Sequence, residues 1–291
     1  MASIRPIKRP LGAPVNAGLG AQTVVHSKSA AKVRESVPGA SSSLFVNSVE
    51  KAMRVLSAFS EKQVTLTLSQ IANLSDLDLS AAQRFTYTLT ALGYLEKDGA
   101  MRCYRLSPKL LDFGYSYMAS SELLSRAAPY LRQLSRETEE TTNITVLDHT
   151  DIVFTLRFVS RHVLNPHVIT GSRLPAYCTA PGLAIMSRLP ADQVDSLLEQ
   201  SSLVAHTSHT VADPEKIRAR LEKFRERGYS HTESEYYLGD ISTAAAILDA
   251  RGHPVAAVNV AVSRTRWHGA KDEKRIANLV IAAAEAISGH R

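Results

Sequence analysis

A chain of 291 residues with 44% apolar and 21% charged side chains is expected to form about two soluble domains, each with its own core. The formal charge of +6 favours a polyanionic partner without requiring one. Two cysteines, Cys103 and Cys178, exclude a disulfide framework and suit a reducing cytoplasm; no apolar run approaches the ~20 residues of a membrane span, and no signal-peptide core opens the chain, so neither membrane insertion nor export is expected.

Residues 1–43 are rich in Pro, Gly, Ala and Ser and carry Arg5, Lys8, Arg9, Lys28, Lys32 and Arg34 against Glu35. They read as a disordered basic arm, either a solvated tail or a weak non-specific DNA contact. Residues 46–60 repeat Val49, Ala52, Met53, Leu56 and Phe59 at helical spacing, with Asn47 or Ser48 as the cap. A short helix carrying Leu68, Ile71, Ala72 and Leu74 follows and breaks at Ser75-Asp76.

Residues 80–92 are the stretch that decides the N-terminal half. Ala82, Phe85, Leu89 and Leu92 form one apolar stripe, and Ser80, Gln83, Arg84 and Tyr87 lie opposite, with Asp78 the nearest acid. A face of hydroxyl, amide, guanidinium and phenol donates to phosphates and base edges, and nothing on it repels DNA. Ser80 is the expected N-cap. Asp98-Gly99 predicts a two-residue hairpin with Lys97, Arg102 and Arg105 around its tip. Helix, turn, helix and basic hairpin make a winged helix-turn-helix, domain 44–106, with its second helix directed to the major groove.

Ser107-Pro108 starts a linker helix, 107–120, too apolar on its surface to stand alone and therefore expected against a second subunit. Residues 121–140 form another helix, with Pro129 expected to kink or divide it. Strands are predicted at 144–148 and 152–158 around a turn at 149–151, and 163–170 reads as extended. Helices follow at 181–188, 191–199 and 213–227, then strands at 229–233, 242–249 and 254–263, and a final helix at 271–288. Residues 121–291 are thus one mixed domain with helices packed on a sheet, and the chain as a whole is α+β.

Alternation along the last strand places Ala256, Val258, Val260 and Val262 in a core and Val255, Ala257, Asn259 and Ala261 on the opposite face, which Ser242, Ala244 and Ala246 extend. Small and polar residues there leave either room for a ligand or a close seat for a helix. The loop 171–182 offers a second wall, with Tyr177 as an aromatic surface, Thr179 as a hydroxyl and free amides at the start of the following helix. His206 and His209 are the closest histidine pair among several, but no third ligand is placed by spacing; Cys178 has no base beside it, and Glu233 and Glu235 read as a surface pair. Neither a metal, a cofactor nor an enzymatic reaction is expected.

The segments SVEKAMRVL, LSQIANLSDLDLSAAQRFTYTLTALGYLEKDG, YRLSPKLLDFG, GSRLPAYCTAPGLAIMSRLP and RERGYSHTESEYYLGDISTAAAILDARGHPVAAVNVAVS, in that order, resemble the IclR family of bacterial transcription regulators over nearly everything after residue 44. The resemblance implies a winged helix joined by a linker helix to a GAF-like α/β sandwich with an antiparallel sheet, binding operator DNA as a homodimer or homotetramer and responding to a small organic acid. It directs DNA contact to Ser80, Ala81, Gln83, Arg84 and Tyr87, with Lys97 and Arg102 from the wing. Effector contact is expected from Tyr177, Thr179, Ala180, Pro181, Thr232, Tyr236, Asp240, Ser242, Asn259 and Ala261. The chain departs from the family pattern in having Asp78-Leu79 where relatives carry Pro-Lys, Ser242, Asn259 and Ala261 where they carry Cys, Ser and Ser, and Thr232 where they often carry Asp. These departures imply an effector other than the one glyoxylate-sensing members bind, an aromatic or larger acid. The alternatives are a dimeric small-molecule-binding module that acts on protein partners and a metal-responsive regulator.

Overall fold

The computed structural model describes residues 41–165 and 167–289. The expected arm at 1–43 lies almost wholly outside them.

The N-terminal domain is built from α1 (Asn47–Ser57), β1 (Thr65–Thr67), α2 (Leu68–Leu74), α3 (Leu79–Ala91), β2 (Leu95–Asp98) and β3 (Cys103–Leu106). The strands pair antiparallel in the order β1-β3-β2. Val55, Leu66, Ile71, Leu89, Leu95 and Tyr104 close the core under the three helices. A capping box starts α2, Thr67 and Gln70 each bonding the other's backbone amide. Three local expectations give way. No side chain caps α1, and Val49 and Met53 of its stripe are exposed. Leu92 ends the α3 stripe exposed, as the C-cap. The wing turn has four residues instead of two: Asp98 pairs with Cys103, and its carboxylate accepts from the amides of Ala100 and Met101 at 2.9 and 3.0 Å, which opens the loop.

Ser107 caps a short 3-10 turn that leads into α4 (Leu111–Ala119). No residue of α4 is buried, although Leu111, Phe113, Tyr115 and Tyr117 lie along it. α5 (Glu122–Thr138) runs unbroken through Pro129, so the expected division does not occur.

The C-terminal domain is organised on a six-stranded antiparallel sheet. Its strands are β4 (Thr141–Asp148), β5 (Asp151–Phe158), β6 (Arg173–Pro175), β7 (Ser230–Glu233), β8 (Asp240–Leu248) and β9 (Pro254–Ser263), in the order β6-β5-β4-β9-β8-β7. The first of these strands thus lies beside the last. α5 and α9 (Ala270–Ser288) cover one face, with Leu131, Ile144, Val258, Val260, Val280 and Ile287 wholly buried between them. Each such side chain contributes about 1.5–3 kcal/mol to folding. On the other face lies α6 (Ala180–Met186), backed by α7 (Ala191–Gln200) and α8 (Pro214–Arg227). Gly228 ends α8 in the left-handed conformation at φ 80°. Residues 163–165 and 167–170, expected to be extended, form irregular chain with isolated turns and a bend; the edge strand is β6 instead.

Candidate nucleic-acid face and effector cavity

The polar side of α3 faces solvent. Gln83, Arg84 and Tyr87 line one groove with Lys97 and Tyr104 of the wing. Tyr87 is 76% exposed, an unusual position for a large aromatic ring with no protein neighbour to cover it. Ser80 and Ala81 occupy the first turn of α3, and Arg102 stands in the wing loop at φ 54°. Lys97 lies over the Tyr104 ring at 5.6 Å. Among the described residues, no acid forms an ion pair with Arg84, Lys97 or Arg102, whereas Arg105 is held by Glu96 at 2.7 Å. The cap of α3 is Asp78, not Ser80: Asp78 keeps extended backbone, and its carboxylate accepts from the Ala81 amide at 2.8 Å. Ser80 is already inside the helix, where its side chain cannot reach the free amides.

The second site is a cavity of about 70 Å³ between the sheet and the loop before α6. Its floor follows from strand register. Arg157 pairs with Asn143, which pairs with Asn259, so the three side chains stand in one row across β5, β4 and β9. The next row holds Thr141, Ala261, Ser242 and Thr232. A hydrogen-bonded chain runs along the floor: Asn143 Nδ2 donates to Asn259 Oδ1 at 3.1 Å, and Asn259 Nδ2 donates to Ser242 Oγ at 3.0 Å. Asn143 is 1% exposed, and its Oδ1 accepts nothing. The same face of small residues is also a helix seat further along, where Ala244 and Ala257 pack directly on Ala180, Ala184 and Ile185. The face therefore borders a cavity at one point of the strands and seats α6 at another.

Arg157 reaches the cavity through a β-bulge. The β4–β5 register shifts at Ile144 and Thr145, leaving Thr155 unpaired in the ladder, with its hydroxyl donating to the Ile144 carbonyl at 3.1 Å. A bulge re-aims the residues beyond it. Ile152, Phe154 and Arg157 therefore all line the cavity, although strict alternation would put Arg157 on the opposite side from the other two. The guanidinium stacks over Phe154 at 5.0 Å, and its buried Nε has no hydrogen-bond acceptor. Burial lowers the Arg157 pKa, and Asp240 and Tyr237 act against that. Burial raises the Asp240 carboxyl to about 7, with Arg157 opposing. The two are nonetheless too far apart for an ion pair.

Of the expected effector contacts, Thr179, Ala180, Pro181, Thr232, Tyr236, Asp240, Ser242, Asn259 and Ala261 line this cavity. Tyr177 does not: its hydroxyl is bound to Val204, donating to the carbonyl and accepting from the amide at 2.9 Å. Thr179 contributes no free proton, because its hydroxyl donates to the Pro175 carbonyl at 2.9 Å. His206 packs on the Tyr236 ring at 4.5 Å, so the expected loop histidine belongs to an aromatic cluster, and no group of metal-binding side chains exists among the described residues. Glu235 is buried against Arg220 rather than paired on the surface. Sequence pattern does not reach Asn143 or Arg157: Asn143 lies one residue before the predicted strand 144–148, and Arg157 is hidden by the bulge.

A winged helix with an unneutralised cationic face, followed by a sheet domain enclosing a polar-floored cavity, defines a DNA-binding transcription regulator with a small-molecule effector domain. Residues 48–99 match the IclR helix-turn-helix domain and residues 115–289 the bacterial transcriptional regulator IclR C-terminal domain. The chain belongs to the IclR family of transcriptional regulators. It is 32% identical over 241 residues to the Pca regulon regulatory protein of Pseudomonas putida, covering 82% of each chain. The crystal structure of a transcriptional regulator from Rhodococcus sp. RHA1 superposes with a TM-score of 0.73 at 32% identity, over 84% of this chain and 97% of that one. An IclR homolog from Microbacterium hydrocarbonoxydans complexed with 4-hydroxybenzoate has the same fold, with a TM-score of 0.70 at 21% identity over 83% of this chain and 97% of that one.

Proposed function

We propose that the chain binds operator DNA as a homodimer or homotetramer in the cytoplasm, without catalysing a reaction, and that a small organic acid in the cavity adjusts that binding. The observation that carries this reading is the cavity floor: a hydrogen-bonded chain of Asn143, Asn259 and Ser242 under walls that mix Phe154 and Tyr236 with the carboxylates of Asp240 and Glu235, and with Arg157 as the one cation of the lining. Buried polar groups in that arrangement are completed by a polar ligand. The α3 face supplies the DNA contact through Ser80, Ala81, Gln83, Arg84 and Tyr87, with Lys97 and Arg102 of the wing on the backbone. The uncovered apolar residues of α4 supply the subunit contact.

An aromatic acid is the finer reading. Phe154, Tyr236 and Tyr237 wall the cavity, and one relative of the same fold is named as a complex with 4-hydroxybenzoate. The cavity as it stands, about 70 Å³, is below the ~150 Å³ that holds a benzene ring, so such a ligand must displace a wall residue.

The test is a mobility-shift titration of the full chain on its own promoter region in dilute buffer, with and without small carboxylic acids. Acid-dependent changes of about 5–150-fold in affinity are expected, corresponding to about 1–3 kcal/mol of coupling. DNA binding that no acid alters would remove the effector role, and absence of binding in any condition would remove the operator role as well.

A further inference from the structure

The cavity holds two polar groups whose needs the protein itself does not meet, and they are neighbours. Arg157 and Asn143 are cross-strand partners on β5 and β4, where side chains on one face stand roughly 5 Å apart at Cβ. Arg157 is fixed by its stack on Phe154, which leaves the planar fork of donors free; its buried Nε lacks any acceptor. Asp240 is too distant to act as its ion-pair partner. Asn143 is fixed from the other side by Asn259, and the carbonyl end of its amide has no donor. An unmet buried donor or acceptor costs about 1–3 kcal/mol, more for a charged group, so both positions reward a ligand that satisfies them.

Resting on the reading of this cavity as the effector site, we propose that Arg157 anchors the effector's carboxylate and Asn143 Oδ1 accepts a hydrogen bond from a hydroxyl on the same molecule, so that the ligand is a hydroxylated carboxylic acid. A guanidinium fork matches the two oxygens of a carboxylate, whereas a keto oxygen or a bare hydrocarbon offers Asn143 nothing to accept. Sites built to bond a hydroxyl discriminate strongly against analogues that lack it, because the protein group is then left unpaired. The aliphatic and the aromatic members of this class share that chemistry. A compact aliphatic hydroxy acid asks for less room than an aromatic one, which requires a wall residue such as Tyr236 to move.

Thermal-shift and calorimetric titrations of the full chain distinguish these cases with matched compounds: lactate, propionate and lactamide as the aliphatic set, and 4-hydroxybenzoate, benzoate and 4-hydroxybenzamide as the aromatic set. The hydroxy acid of at least one set is expected to bind about tenfold or more tightly than both its deoxy twin and its amide. Arg157→Gln is expected to abolish the preference for acid over amide, and Asn143→Ala to abolish the preference for the hydroxylated acid over its twin. Arg157→Lys, which keeps the charge and loses the fork, serves the same purpose should the glutamine variant not fold, with weakened but still acid-selective binding.

Amides that bind as well as acids, or an Arg157 variant with unchanged acid affinity, would overturn the anchor while leaving the cavity as the effector site. Twins that bind equally in the unsubstituted protein would overturn the role of Asn143. A panel in which no compound binds overturns this assignment and the effector reading together. Acids that bind through Arg157 and leave promoter affinity unchanged would overturn the effector reading alone.

Discussion

The α3 face and the cavity use the same chemistry in opposite solvents. Each presents an arginine without an ion-pair partner; Asp78 stands beside the first, and Asp240 and the Arg220-bound Glu235 line the cavity with the second. On α3, Arg84 and its neighbours are exposed, and Asp78 is tied to the helix amides. In the cavity, Arg157 and Asp240 are partly buried and form no ion pair with each other. An exposed cation is satisfied by solvent and carries affinity for polyanions that falls with salt. A cation withdrawn from water depends on fixed partners or on a ligand, and its interactions are screened far less. On the proposed reading, ionic strength tunes the first surface, and the shape and functional groups of the ligand tune the second.

The comparison is broken most severely at a glycine in the first turn of α6, which packs on the turn before that helix. A Cβ at Gly182 would lie 2.2 Å from the Ala176 carbonyl oxygen and 2.4 Å from the Ala176 Cα, both backbone atoms that cannot swing aside. At the wing tip, a Cβ on Gly99 meets nothing within 4 Å. Gly182→Ala is expected to destabilise the protein by about 3 kcal/mol or more and to lower the melting temperature by roughly 6 °C or more. Gly99→Ala is expected to stay within about 0.5 kcal/mol. Equal melting curves for the two variants would show that the loop before α6 is not packed as described.

Asp240 sharpens the same contrast through pH. Its folded value of about 7 lies above the ordinary 3.8, so the folded chain binds more protons than the unfolded chain between those limits. This contribution to stability is complete below 3.8 and is lost as pH rises toward and through 7. The slope cannot exceed one proton, about 1.4 kcal/mol per pH unit. Asp240→Asn should flatten that part of the stability profile and melt higher than the parent above neutrality, as read by chemical denaturation across the pH range. An unchanged slope would place the Asp240 carboxyl in contact with water.

Arg84→Ala tests the solvent-facing side. If Arg84 reads a base, the variant loses about 1–3 kcal/mol of operator affinity and relaxes specificity at one position. A variant with the same footprint and affinity as the parent would remove Arg84 from the base-reading set.

How far the sequence discloses these two regions depends on whether local rules hold. The α3 stripe, the small-residue face of β9 and the left-handed Gly228 are all visible from spacing, because one helix or one strand contains the whole pattern. Ser242, Asn259 and Ala261 fall on the cavity for the same reason, since their strands alternate there, whereas Thr179, Ala180, Pro181, Thr232, Tyr236 and Asp240 are directed to it by the family resemblance. Arg157 is out of reach of that reasoning, since the bulge at Thr155 changes its face and nothing in DIVFTLRF marks the insertion. Asn143 is lost because β4 begins with two threonines at the end of a helix, where sequence pattern shows a boundary only within a few residues. Tyr177 fails differently. Its hydroxyl finds Val204, which is distant in sequence, and only tertiary structure brings the two together.

The smallest expected effect concerns Asp78, where structure and DNA binding pull apart. Its carboxylate caps α3 by accepting from Ala81 at 2.8 Å, and the same charge stands at the end of the helix that is directed toward DNA. A negative group at a helix N-terminus is favourable for the helix and unfavourable for an approaching phosphate. Asp78→Ala removes both effects, so stability should fall by about 1 kcal/mol while affinity for DNA rises. Asp78→Ser keeps a capping oxygen without the charge, so stability should stay near that of the parent while affinity still rises. The gain in affinity should shrink as salt is added, because the repulsion it relieves acts through solvent. Parallel melting and mobility-shift measurements on the two variants separate the roles. Should both variants bind DNA no better than the parent at low salt, the N-terminus of α3 does not approach the phosphate backbone, and the orientation assigned to the recognition helix must be turned.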